Sequence, residues 1–311
     1  MRSNRRLSLF AIVVLSLLVP KLALAATRKP VPIVLDTDIG SDIDDAFALA
    51  LVLKSPELDL RAVTTVSGDT QARARLAAKM LSVAGRHDVP VAAGVSGRPL
   101  NIAQTRWADG FSSPSLLKIG AVQLMKREID RARGPIVIVA IGPLTNVASL
   151  FEQYPAEKRK VRRIVLMGGS IARGYAPRSA AAPEYNIVSD TKAAQAVFAA
   201  GVPITMAPLD VTAQLQLDAA HRQRIFSQRT PLSDALHAVY RLWGRQTPTL
   251  FDPMAVSLLF DPQLCTLKPL AIRVTDKGMT VPVAGRKPNA MAGLETDPAR
   301  FIDFYTARVT R

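Results

Sequence analysis

The sequence predicts an α/β protein with a mostly parallel central sheet flanked by helices. Apolar runs of strand length alternate with helix-length segments along the 311 residues, the pattern of successive βαβ units. The composition, 49% hydrophobic and 21% charged, is that of a globular chain. No repeat, low-complexity tract or Gly/Ser linker interrupts residues 26–311, which read as a single domain.

The elements follow in order. Residues 31–35 form the first expected strand, which runs into a carboxylate-rich segment, and 46–53 follow as a helix stopped by Pro56. Further strands are expected at 60–66, 89–93, 136–141, 164–167 and 204–207. Helices are expected at 71–84, 114–131 and 191–200, with Pro143 placed to open the helix after the fourth strand. The basic run 158–163 reads as a solvated loop before a strand, and 172–183 as a mobile surface loop. Beyond Asp218 helices are expected at 219–227, 233–245 and 253–260. A hairpin then pairs 269–274 with 279–283 across Asp276-Lys277-Gly278, and 298–308 close the chain as a helix.

The N-terminus reads as an export leader over 1–25. Arg2, Arg5 and Arg6 precede an apolar run from Leu7 to Val19, and Ala23-Leu24-Ala25 supplies a small-x-small cleavage pattern. Thirteen residues at about 1.5 Å rise are too short for a bilayer core of roughly 30 Å. The expected location is therefore periplasmic or secreted, with no membrane attachment after cleavage. The formal charge is +15, of which the leader's four basic residues carry four, leaving +11. The remaining basic residues are dispersed along the chain, so the charge does not point to a nucleic-acid partner. A single cysteine, Cys265, excludes an intrachain disulfide and a thiolate zinc site. Three scattered histidines leave metal chemistry to carboxylates.

Those carboxylates are concentrated. Asp36, Asp38, Asp42, Asp44 and Asp45 lie within ten positions, between an apolar strand and an apolar helix, and no Lys or Arg lies between Pro30 and Lys54. Five like charges so close raise one another's pKa unless a cation compensates. Oxygen-only donors favour Ca²⁺ or Mg²⁺ over Zn²⁺, and the carboxylate excess leans towards Ca²⁺. An EF-hand does not fit, because Gly40 is not at the sixth loop position and no Glu closes a twelve-residue loop. The opening Asp36-Thr37-Asp38 also suits a Mg²⁺-dependent phosphatase of the haloacid-dehalogenase type, with Asp36 as nucleophile.

The segment from Asp36 to Ala46 resembles the N-terminal signature of the inosine-uridine-preferring nucleoside hydrolases. The resemblance continues through Thr64 to Asp69, Gly142-Pro143-Leu144-Thr145-Asn146, Leu166-Met167-Gly168-Gly169, Glu184-Tyr185-Asn186 with Asp190, and Phe251-Asp252-Pro253-Met254. It implies a Rossmann-like core and Ca²⁺-dependent hydrolysis of ribonucleosides to free base and ribose, in nucleoside salvage. It further implies a small-molecule nucleoside as partner, and a homo-oligomer. In the implied roles Asp38 binds calcium and acts as general base towards the attacking water. Asp45, Asp252 and the Thr145 backbone carbonyl are further ligands. Asp44, Glu184 and Asn186 hold the ribose, with Asp42 and Asp69 as further substrate-side candidates.

The pattern departs from the family in places. The spacing from Asp38 to the acidic pair is two residues longer than in the shortest members, so Asp42 could take the place of Asp44. Asp69 stands where the best-known members carry Asn, and Arg178 where an Asn often precedes the Glu. Phe251 replaces a His that protonates the leaving base in many members. His237, Tyr240 and Trp243, which can share a helix face, and Trp107 are the candidates for the leaving-group side. The missing His also motivates an alternative, an exported nucleoside- or sugar-binding protein on the same scaffold without catalysis.

Overall fold

The computed structural model describes residues 29–100 and 102–311; the expected leader at 1–25 lies outside them. Strand β1 (Val31–Thr37) is followed by helix α1 (Asp44–Leu53), β2 (Leu58–Thr65), α2 (Thr70–Val83) and β3 (Val91–Ala93). The chain continues through α3 (Ala121–Arg131), β4 (Ile136–Ala140), α4 (Thr145–Gln153), β5 (Val161–Met167), α5 (Tyr185–Val188), α6 (Thr191–Phe198) and β6 (Ile204–Ala207). Four helices come next: α7 (Leu209–Thr212), α8 (Ala219–Phe226), α9 (Pro231–Trp243) and α10 (Phe251–Ser257). The last elements are β7 (Cys265–Leu270), β8 (Ile272–Val274), β9 (Thr280–Pro282), β10 (Ala290–Thr296) and α11 (Pro298–Val309).

Eight strands form one sheet in the order β3-β2-β1-β4-β5-β6-β10-β7. Neighbours run parallel except β10 and β7. Helices cover both faces, so the central strands are apolar on both sides. Val137 and Val139 of β4 enter one core with Ile33 and Leu35 of β1, whereas Ile136, Ile138 and Ala140 enter the other with Val34. This is the period-two alternation of a pleated strand. The expected hairpin forms as β8 and β9, a separate two-stranded pair. Among the described residues no helix is long and apolar enough to cross a membrane.

Several boundaries differ from expectation. Residues 114–120 are not helical: the Leu117 N–H donates to the Val91 carbonyl, and Leu116 bridges Val91, so this stretch extends along the sheet edge before α3 begins after Gly120. The basic run is not a solvated loop. Pro155–Arg159 is a 3₁₀ turn and β5 already starts at Val161, while Lys160 is drawn to Asp130 at 2.6 Å and Glu157 at 3.1 Å. The loop at 172–183 is tied at its base, where the Asp210 carboxylate accepts the N–H groups of Ile171, Ala172 and Arg173. Strand β10 has no distinctive local pattern; it exists because β6 and β7 supply partners on either side.

The strand order places the site. From β1 the chain moves outward to β2 and β3, then returns to the other side of β1 as β4. The loops leaving the C-terminal ends of β1 and β4 therefore diverge and open a crevice, the usual ligand position in open α/β sheets. The acidic loop after β1 lies at that point.

Candidate active site

A cavity of about 560 Å³ opens at the C-terminal edge of the sheet. Its floor carries Asp38, Asp44, Asp45, Glu184, Asn186 and Asp252, and its rim Tyr175, Tyr185, Trp243, Arg245 and Phe251. Asp44 and Asp45 occupy the first turn of α1, where carboxylates complement the helix dipole. Helix α10 packs on α1 and brings Asp252, in its own first turn, to the same place. Carboxylate oxygens of Asp44, Asp45 and Asp252 all lie within 4.8 Å of one another, and the Asp252 N–H points to Asp44 Oδ2 at 3.4 Å. Gly142, just past β4, leaves room for Asp38: a Cβ there would lie 3.0 Å from Asp38 Oδ1 and 2.8 Å from Val66. Gly40, at φ +117°, turns the acidic loop through a region that favours glycine.

The acidic loop is clamped from a distant helix. Arg73 of α2 is fully buried. It donates to the Asp38 carbonyl, to the Ile39 carbonyl at 2.9 Å and to the Ser67 carbonyl at 2.8 Å. Its other guanidinium nitrogen lies 4.0 Å from Asp38 Oδ2 and has no closer partner among the described residues. Gln104 braces the loop from the other side, donating to the Asp42 carbonyl at 2.6 Å and the Ser41 carbonyl at 3.3 Å. Both of those oxygens can only accept, so the Gln104 Oε1, buried and unpartnered, is the atom turned away from the loop.

One guanidinium does not neutralise so many carboxylates. Burial pushes the Asp38 carboxyl up to about 6, with Arg73 opposing the rise. Burial also pushes Glu184 up to about 7, against three backbone N–H groups that hold its charged form. Asp44, Asp45 and Asp252 are raised well above the ordinary carboxylate range, first by burial and then by their acidic neighbours.

Glu184 accepts from Gly169 N at 3.0 Å, Asn186 N at 3.0 Å and Ile187 N at 3.2 Å, so it caps α5 while facing the cavity. The Asn186 side-chain amide donates to the Ile141 carbonyl at 3.3 Å and the Met167 carbonyl at 3.2 Å. These bonds lock two strand ends to the site and fix which way the amide points.

The structure gathers Asp38, Asp42, Asp44, Asp45, Glu184, Asn186, Asp252 and Trp243 around one cavity. It does not bring the other candidates there. Thr145 opens α4 and its hydroxyl donates to Asp190 at 2.7 Å; the β4-end residue lining the cavity is Ile141. Asp69 is exposed and caps α2 by accepting the Ala72 N–H at 2.9 Å. His237 stacks on Phe226 at 4.7 Å, and the Tyr240 hydroxyl donates to the Gln246 carbonyl at 2.7 Å. Trp107 lies under the Lys79 ammonium, 4.4 Å from its ring centre. Of the helix trio only Trp243, at the C-terminal end of α9, reaches the cavity. Local sequence reasoning missed Arg73, Gln104, Tyr175 and Arg245.

The family model described as inosine-uridine preferring nucleoside hydrolase matches residues 33–303. The pyrimidine-specific ribonucleoside hydrolase RihA of Citrobacter koseri is 34% identical over 310 residues, covering 89% of this chain and 97% of its own. RihA of Salmonella typhimurium is likewise 34% identical, covering 89% and 98%. Among solved structures, the plant nucleoside hydrolase PpNRh1 superposes with a TM-score of 0.79 at 26% identity, covering 90% of this chain and 99% of its own. A purine-preferring ribonucleoside hydrolase from Gardnerella vaginalis gives 0.77 at 25% identity, covering 90% and 98%. The chain belongs to the inosine-uridine-preferring nucleoside hydrolases, enzymes that hydrolyse the N-glycosidic bond of ribonucleosides.

Proposed function

We propose that this chain is an exported, calcium-dependent ribonucleoside hydrolase that releases nucleobase and ribose for salvage. The observation that carries the reading is the buried floor, where Asp44, Asp45 and Asp252 converge and where, among the described residues, Arg73 is the one buried cation beside the acidic loop. An all-oxygen, carboxylate-rich donor set fits a hard divalent cation, and these three residues would hold it, with Asp38 and Ile141 beside them. When bound, the ion supplies Lewis acidity and a template for the sugar hydroxyls.

The chain's own residues account for the other requirements. Asp38, buried at the cavity floor with its carboxyl pushed up to about 6 in the ion-free chain, is the base that takes a proton from the attacking water. Glu184, Asn186 and Asp42 offer acceptors to ribose hydroxyls. Carboxylates aimed at the sugar also favour the positive charge that grows on it as the bond to the base breaks, a gain confined to the transition state. The phosphatase alternative fits poorly, because Asp36 is turned into the core. Its Oδ1 accepts Thr64 Oγ1 at 2.6 Å and Asn146 Nδ2 at 2.8 Å, and it does not line the cavity.

The test is to incubate the protein with uridine, cytidine, inosine and adenosine, with calcium or with chelator, and to measure released reducing sugar. Turnover in calcium that chelator stops is expected. Nucleoside binding without turnover over hours favours the non-catalytic binding protein, for which the replacement of the usual His by Phe251 is the motive.

A further inference from the structure

A breaking N-glycosidic bond leaves negative charge on the base, so a donor is needed at that end of the cavity. Among the described residues none of the three histidines lines it. The floor is filled with acceptors suited to sugar hydroxyls, which leaves the flat base to the aromatic rim. Tyr175 stands there in a defined position. Its ring meets Phe251 edge to face at 6.2 Å, and its hydroxyl oxygen accepts the Tyr185 N–H at 2.8 Å. The loop that carries it is anchored by Asp210. That bond uses the oxygen but not the hydroxyl proton, which has no acceptor among the described residues; accepting one hydrogen bond also makes a hydroxyl a better donor.

We propose that the Tyr175 hydroxyl is the hydrogen-bond donor to the departing nucleobase. This assignment rests on the reading of the cavity as a ribonucleoside hydrolase site. Burial and the nearby Glu184 and Asp44 carboxylates push the phenol's pKa upward, so it keeps its proton and stabilises the leaving group as a fixed donor. The C1′–N bond breaks with its electron pair passing to the base nitrogen, and a C1′–O bond forms to water. The proton lost by water goes to Asp38 and then to solvent, while the base anion, held by Tyr175, is protonated from solvent at the open rim. Among the described residues the other polar rim groups, the Tyr185 hydroxyl and Arg245, are held by no comparable bond; the exposed Arg245 guanidinium lies 5.8 Å from the Trp243 ring centre.

The experiment compares Tyr175→Phe with the parent chain on two substrates, uridine and 4-nitrophenyl riboside. Nitrophenolate is already a stable anion and needs no donor. The expected result is a fall in kcat of roughly 10²-fold on uridine, the usual weight of one preorganised donor, with nitrophenyl riboside turnover unchanged. An equal loss on both substrates would show that Tyr175 only shapes the loop and would overturn the assignment. So would an unchanged rate on uridine, or a uridine-selective loss in Arg245→Gln but not in Tyr175→Phe. If the parent chain cleaves neither substrate, the hydrolase reading itself fails and takes this one with it.

Discussion

At the cavity floor Asp38, Asp44, Asp45, Glu184 and Asp252 are between 2% and 5% exposed, whereas at the rim Tyr175 and Tyr185 are 46% and 43% exposed. The floor sits on strand ends and first helical turns and is fixed by buried hydrogen bonds from Arg73, Gln104 and the Glu184 cap. The rim is made by Tyr175 on a loop, by Tyr185 and Phe251 at the starts of α5 and α10, and by the end of α9; the Tyr175 side chain itself is held by one hydrogen bond and one aromatic edge. A sugar that must be held while positive charge develops needs the preorganised, water-poor floor. A base that is stacked, met by one donor and then released is served by a more open wall.

Variants can break or sharpen that contrast. The largest effects belong to the floor. Asp38→Asn should lower kcat on the order of 10²- to 10⁴-fold, the range for loss of a general base. Asp252→Ala should remove at least as much, with an unchanged circular dichroism spectrum in both; near-normal rates would dissolve the distinction. Arg73→Met acts on the support beneath the floor. It leaves buried carbonyls without donors and Asp38 without its cation, so a loss of about 3–5 kcal/mol in denaturant unfolding is expected. At the rim, Trp243→Ala should raise KM about tenfold through a lost stacking contact of ~1–3 kcal/mol, with kcat little changed. A kcat loss as large as that of Asp38→Asn would mean that Trp243 acts in the chemical step and does more than stack on the base. Smallest of all, His237→Ala should leave steady-state rates unaltered and shift stability by less than about 0.5 kcal/mol.

The same contrast governs what could be read from the sequence. Apolar strands ending in carboxylates and glycines are local patterns, so β1, β4 and the acidic loop could be placed from the residues alone. Asp252 and Glu184 lie far along the chain and were reached only through the family resemblance. Arg73 has no local signature, because the acidic segment holds no Lys or Arg of its own and its cation arrives from the next helix. The motif points to the carbonyl of Thr145, whereas the residue at the end of β4 that lines the cavity is Ile141, four positions earlier. Tyr175 lies in an aperiodic loop, where neither spacing nor hydrophobic pattern distinguishes it from an ordinary surface tyrosine. Strand β10 escaped for a related reason: its neighbours, rather than its own residues, make it a strand.

Burial raises the floor carboxylates, so the ion-free folded chain binds more protons than the unfolded chain between the ordinary carboxylate range and about pH 7. The stability these groups contribute is therefore present at acid pH and is lost as pH rises through that window. A cation that displaces those protons binds more tightly at higher pH and releases protons as it does so. Calorimetric titration of the chelator-stripped protein with calcium, in two buffers of different ionisation enthalpy and at pH 5.5 and 8, tests this directly. The account predicts one ion per chain, net proton release and tighter binding at pH 8, all absent in Asp252→Ala. Absence of calcium binding at either pH, or binding that Asp252→Ala leaves intact, would contradict it.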